Sequence, residues 1–212
     1  MTPNPDAIAA LLIANVPRDL VMGVEDAFAA GALQAFGLTK EVSKKQRKTA
    51  LGYMRHIQMN ERFGDLLEAS NAELISSQGN RVIVGVAGML KFARLNMSTT
   101  NWNRPTRSTI RRELAEANEA MSQLVQPSLF GPKDVTSGAF FFVARFSGSL
   151  HHHPEKPLQV YIAVPNPKMD GWLFREPLSQ FLDRYDAAPE QVDNATVKLK
   201  TGFSELGGQE ET

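Results

Sequence analysis

The sequence predicts an α+β protein: N-terminal helices followed by a mainly antiparallel four-stranded sheet, in the order ββα-ββα, with helices packed on it. Three observations predict it. Apolar residues recur at helical spacing through residues 1–70, and the pattern turns to strands beyond Gln78-Gly79-Asn80. Adjacent strands are also joined by short connections, which favours antiparallel pairing.

The first helix, Asp6 to Val16, stops at Pro17. The second, Gly23 to Phe36, carries Val24, Phe28, Ala32 and Phe36 and ends at Gly37. The third runs from Ser43 to Ala69 with a broken apolar period at Ala50, Met54, Ile57 and Leu66-Leu67, and Gly64 is a point where it kinks or ends early. Ser43 and Gln46 have the spacing of a capping box, in which hydroxyl and amide satisfy each other's orphan backbone donors.

Arg81–Val86 and Met89–Met97 flank Ala87-Gly88, and the β-branched run Val82-Ile83-Val84 favours a hairpin. Leu90 and Phe92 share a face of the second strand, whereas Leu95 and Met97 have the other parity; a bulge near Ala93-Arg94 would turn all four inward. A helix over Thr106–Gln126 follows, with Ile110, Leu114, Ala117, Met121 and Leu124 as its apolar stripe. Ala139–Phe146 and Leu158–Val164 are apolar enough for central strands, and Pro177–Asp186 is a short helix. The chain divides into a helical region over 1–75, an α+β core over 76–190 and an acidic, partly disordered tail over 191–212.

Composition narrows the chemistry. With 212 residues the chain buries a core without staples, and it has no cysteine. Structural disulfides, thiolate nucleophiles and Cys-based metal sites are thereby excluded. The apolar run Ile8–Val16 is too short to span a bilayer, which together with the lack of a basic leader predicts a cytoplasmic protein without membrane contact.

The net charge of zero conceals a segregation. Residues 40–112 carry 14 Lys/Arg against 5 Asp/Glu, a balance of +9 that the rest of the chain offsets with −9. Two helix starts concentrate the excess. Lys44, Lys45, Arg47 and Lys48 fill the first turns after Ser43, and Arg104, Arg107, Arg111 and Arg112 surround the start of the Thr106 helix. Cations at a helix N-terminus oppose the dipole, at about 0.3–1 kcal/mol each, unless an anion sits opposite. Free N–H groups and guanidinium forks together suit a phosphate, and Trp102 adds a ring on which a base could stack. A solvated helix end, with Arg112 paired to Glu116, is the plainer alternative.

Gln126-Pro127-Ser128-Leu129-Phe130 resembles the pentapeptide by which many proteins dock on the bacterial sliding clamp. Gln126, Leu129 and Phe130 match it, while Pro127 replaces the usual leucine. The resemblance implies a partner-binding segment with two apolar anchors and a polar end; a Leu-Phe pair capping the core is the alternative.

Catalytic signatures are absent. There is no GxxxxGK[ST], no G-x-S-x-G and no HExxH, and the four strands above contain no Asp or Glu. Asp134, Asp170 and Glu176 remain as loop carboxylates without a visible constellation. His151-His152-His153 cannot converge on one metal without a turn, so an exposed loop, no metal and no cofactor are expected. The reading is a non-catalytic, nucleic-acid-associated and DNA-binding protein. The alternative is a protein–protein module, such as an inhibitor, immunity or assembly factor, whose basic face meets an acidic partner. The oligomeric state is not encoded in any motif.

Overall fold

The computed structural model describes residues 5–70, 72–75, 82–98, 108–125 and 135–186. Helices α1 (Pro5–Asn15), α2 (Arg18–Leu38) and α3 (Lys44–Ala69) precede the strands β1 (Glu73–Ile75), β2 (Val84–Ala87) and β3 (Leu90–Ser98). Helices α4 (Thr109–Glu116) and α5 (Glu119–Val125) then lead to β4 (Gly138–Phe146), β5 (Gln159–Pro165), β6 (Trp172–Pro177) and α6 (Leu178–Asp186). The α+β class is as predicted, but the sheet has six strands in chain order and is mixed.

Two antiparallel meanders, β1-β2-β3 and β4-β5-β6, meet at a parallel β3–β4 pair running from Leu90↔Gly138 to Ser98↔Phe146. The four-stranded, mainly antiparallel expectation is corrected here. Short connections do link the strands inside each meander, but a long crossover through α4 and α5 separates β3 from β4 and lets the chain return in the same direction. The strands β1 and β6 are additions; β6 follows a turn in which the Asn166 N–H donates to Gly171 O at 3.0 Å and Met169 adopts φ 55°.

Both faces of the sheet are covered, which removes the need for a bulge in β3. Its pairing with β4 is continuous. Leu90 and Phe92 point into a core with α1, α2, α3 and α6, and Ala93 and Leu95 into a second core beneath α4. The first core centres on phenylalanines. Phe63 of α3 meets Phe28, Phe92 and Phe142 edge-on at centroid distances of 5.7–6.1 Å, and Phe92 stacks on Phe140 at 5.0 Å. Such pairs add about 0.5–1.5 kcal/mol each beyond the area they bury. Residues of 1–75 and of the sheet therefore share one core. The segment 191–212 lies outside the described residues.

Helix α2 begins at Arg18, and Pro17, extended with ψ 137°, occupies the cap position, where its missing N–H costs no helical bond. Gly23, where a start was expected, sits inside the helix against Leu66. α3 continues through Gly64 without a break. α2 and α3 approach closely at Gly31, where a Cβ would lie 2.8 Å from the Cα of Met59.

The expected helix over 106–126 is two helices, and Asn118 causes the break. Its side chain is wholly buried. Nδ2 donates to the carbonyls of Ala139 and Pro165, both at 2.9 Å, and Oδ1 accepts from the Ala139 N–H at 2.6 Å. The redirection sends Leu114 of α4 into the second core and Met121 of α5 into the first.

Among the described residues no single helix is long and apolar enough to cross a membrane; α1 and α2 pass such a test only as a pair bent by 94°. Their stripes, including Leu12, Val21 and Phe28, are buried in the first core.

Asn118→Ala should destabilise the fold by about 3 kcal/mol or more, since it strands three buried backbone groups at about 1–3 kcal/mol each. Urea unfolding with an unchanged m-value checks this. Gly31→Val should also lower the urea midpoint by forcing α2 from α3, whereas Gly37→Ala, with open space around its Cβ, should not.

Candidate nucleic-acid interface

At the start of α3, Lys44, Lys45 and Lys48 are exposed. Among the described residues none of them lies in an ion pair. Arg47 is different. Its Nε donates to Val42 O at 3.2 Å and its Nη2 to Lys40 O, so it clamps the turn between α2 and α3. That turn brings the carbonyl end of α2 beside the amino end of α3, and the opposed dipole ends partly cancel. The cations at this helix start are therefore less unfavourable than the isolated helix suggests. Ser43 occupies the cap position, but its side chain makes no capping bond, so the expected capping box does not form.

Arg111 and Arg112 lie in the first turn of α4, Arg112 exposed with a 3.5 Å bond to Thr109 and Arg111 half-buried. Burial lowers the Arg111 pKa, and its Nε is buried without a hydrogen-bond partner among the described residues. Trp102, Arg104 and Arg107 lie outside the described residues, as do Gln126, Leu129, Phe130 and Asp134. α3 packs on one face of the sheet and α4 on the other. Yet both helix starts point to one end of it. Gly52 and Arg55 of α3 meet Met97, Ser98 and Phe146 around a hollow of about 160 Å³ at the carboxyl ends of β3 and β4. α4 finishes where Asn118 binds Ala139 at the amino end of β4, so its start lies toward the carboxyl end. Lys44, Lys45 and Lys48 on one face, and Arg111 and Arg112 on the other, thus flank the same end of the sheet.

Further arginines, not singled out from the sequence, stand in the same region. The Arg55 guanidinium lies 4.0 Å from the Phe146 ring centroid and donates to Pro154 O, while its Nε is buried without a hydrogen-bond partner among the described residues. Burial pulls its pKa down to about 10, partly offset by the charge of Glu155. Arg94 on β3 is only 3% exposed. Nε donates to Asn60 Oδ1 at 2.8 Å, Nη1 to Asn96 Oδ1 at 3.0 Å and Nη2 to His56 O. Desolvation first, and then the like charge of Arg111, pull its pKa down to about 9, so it stays charged at neutral pH. A run of apolar strand residues interrupted by a single arginine, as at Arg94 and Arg145, was the available signal.

On the second face Arg145 and Arg175 lie 5.6 and 5.5 Å from the Tyr161 ring centroid, and Arg145 Nη2 donates to Gln159 Oε1 at 3.3 Å. The charge pattern is asymmetric. Arg18, Arg62 and Arg184 form ion pairs with Asp186, Asp65, and Asp6 and Glu176. Among the described residues Arg47, Arg55, Arg94, Arg111, Arg112, Arg145 and Arg175 form none.

His151, His152 and His153 are exposed on the connection from β4 to β5. His153 Nδ1 lies 3.4 Å from Glu155 Oε1, and His151 helps Phe36, Lys44, Arg47 and Leu150 line a cavity of about 360 Å³. Among the described residues no group of three or more His, Asp or Glu is arranged to hold a metal. Both described candidate carboxylates have structural partners: Asp170 bonds Asn166 within its own turn, and Glu176, expected in a loop but placed on β6, receives Arg184 at 2.8 and 3.1 Å.

Arg55→Ala removes both the stack on Phe146 and the bond to Pro154, and should destabilise the fold by about 1–3 kcal/mol. Amide exchange should speed up over 148–156 before it does elsewhere. Arg55→Lys should recover little, because an ammonium cannot stack flat and donate sideways at once.

Comparison with known proteins gives no matching family, no matching curated protein and no matching solved structure.

Proposed function

We propose that the protein binds nucleic acid without catalysis, through phosphate contacts at the carboxyl end of the β3–β4 pair. One observation carries this reading. The arginines and lysines gathered there have no carboxylate in an ion pair with them among the described residues, while Arg18, Arg62 and Arg184 elsewhere do. Uncompensated positive charge at a surface raises the local concentration of polyanions and speeds their association. Arg55, Arg94 and Arg111 add buried or half-buried positive charge whose field acts through protein rather than water, where screening is weak. DNA is the expected form, and the contact is to the backbone rather than to a sequence.

The non-catalytic part rests on the carboxylates. Asp170 closes a turn and Glu176 holds Arg184, so neither is placed as a base or metal ligand. Docking of residues 126–130 on a sliding clamp remains a separate proposal, tested by whether a peptide of that sequence competes with the whole chain for the clamp.

Binding to a labelled duplex, followed against salt, tests the main reading. Log K should fall linearly with log salt, with a slope of about −0.9 for each phosphate neutralised. Changing Lys44, Lys45 and Lys48 together to Gln should flatten that slope by about 0.9 for each lysine in contact, equally for unrelated sequences. Removal of divalent metal by EDTA should leave binding unchanged. No affinity for duplex or single strand at low salt overturns the reading. Tight stoichiometric capture of one acidic protein would then assign the same cations to a protein interface.

A further inference from the structure

We infer that the margin of the second sheet face around Tyr161, where Arg145 and Arg175 approach its ring, is a binding platform for single-stranded nucleic acid, with Tyr161 as its stacking ring and Arg145 and Arg175 as its phosphate contacts. This inference rests on the nucleic-acid reading and specifies which form of strand one face would take.

Strand register brings these residues together. On this face Met97, Arg145 and Gln159 form one row across β3, β4 and β5. Leu95, Val143, Tyr161 and Pro177 form the next, and Ala93, Phe141, Ala163 and Arg175 the one after. α4 rests its Leu114 and Ala115 over the β3–β4 part of this face. Tyr161 is left half-exposed and Arg175 exposed. A tyrosine hydroxyl that donates to Gln159 Oε1 fixes the ring's tilt, and Arg145 donates to the same oxygen. The platform is thus held from below by a glutamine shared between ring and guanidinium.

The contacts of the two arginines are loose, and the molecule contains its own standard for a tight one. Arg55 lies 4.0 Å from the Phe146 centroid, whereas Arg145 and Arg175 stand at 5.6 and 5.5 Å from that of Tyr161. Arg145 Nε is buried with no hydrogen-bond partner among the described residues, beside a hollow of about 40 Å³ lined by Met97, Val143, Arg145, Tyr161 and Arg175. A base sliding onto the ring exchanges a weak cation–π contact for a stack and frees a guanidinium to meet the phosphate of the same nucleotide. A duplex cannot make this exchange, since its bases are stacked on one another and present only edges in the grooves. A half-exposed ring flanked by two cations suits a splayed base.

Two readouts test this on the full chain. Anisotropy compares a labelled single strand with a duplex of the same length for the wild type, Tyr161→Leu, and the double change Arg145→Gln with Arg175→Gln. Tyr161→Leu keeps an apolar group in the core edge and should weaken the single strand by about 5- to 100-fold, with less than a twofold change for duplex. Photo-crosslinking of a bromouracil-substituted strand to the wild type should map to the peptides carrying Arg145, Tyr161 and Arg175, a result that does not depend on any variant folding. Crosslinks elsewhere together with an unchanged Tyr161→Leu affinity overturn the inference and leave duplex binding standing. Displacement of the strand by polyglutamate, charge for charge, also overturns it, because that polymer has no rings to stack. Absence of binding to both strand forms in the wild type is a failure of the nucleic-acid reading itself.

Discussion

The parallel pairing of β3 with β4 constrains everything else in the molecule. Each flanking meander is locally connected and antiparallel, so either could be reversed or shifted cheaply; the central pair cannot. A parallel neighbour needs a crossover, and here the crossover is α4 and α5. Because α4 passes over one face, that face gains a helical cover, while α5 joins the N-terminal helices on the other. β4 is then shielded on both sides, which explains why Ala139 to Ala144 are all buried and why three of those residues are phenylalanine. Asn118 secures the arrangement at the amino end of β4, binding Ala139 through both its N–H and its carbonyl.

The same pairing sets where charge gathers. Parallel neighbours end side by side, so Ser98 and Phe146 are register partners and the connections leaving β3 and β4 start from one place. The first contains Trp102, Arg104 and Arg107, and the second the three histidines. α3 reaches this end through Arg55 and Arg94's partners, Asn60 and the His56 carbonyl. A buried guanidinium loses several kcal/mol of hydration, and each charged hydrogen bond returns about 1.5–3 kcal/mol. Three neutral acceptors around Arg94 offset that loss without cancelling its charge. Arg184 is the contrasting case: Glu176 and Asp6 both hold it and raise its pKa, leaving no field to project.

The three N-terminal helices and the β2–β3 and β4–β5 neighbours were legible in the sequence because their signals are local. Pro17, the apolar stripe of α2 and the Val82–Val84 run each act within a few residues. The parallel pair was not legible, since a crossover and a hairpin differ in what happens over forty residues, not four. β3 illustrates the second loss: its two-sided burial reads as a fault in alternation unless both faces are known to be covered. At the site, Lys44, Lys45, Lys48 and Arg112 were readable as exposed cations because they crowd a helix start. Arg47 carried the same signal and turned out to bind backbone carbonyls as well. Arg55, Arg94, Arg145 and Tyr161 owe their roles to neighbours 14 to 99 residues away or to a strand parity, and spacing alone could not single them out.

Exposed and buried cations must contribute differently to one polyanion contact. Lys44, Lys45 and Lys48 are hydrated and surrounded by counterions, which a phosphate backbone displaces; their share is entropic, sensitive to salt and indifferent to sequence. Arg94 carries no counterion atmosphere to release, and its long-range field acts through protein rather than water, where screening is weak. In the proposed contact its contribution would therefore persist at salt concentrations that silence the lysines. A surface built from both kinds would capture a polyanion through the first and retain it through the second. The fold separates the two physically, placing the lysines on an open helix end and the arginines against the sheet, so that capture and retention would fall to different residues.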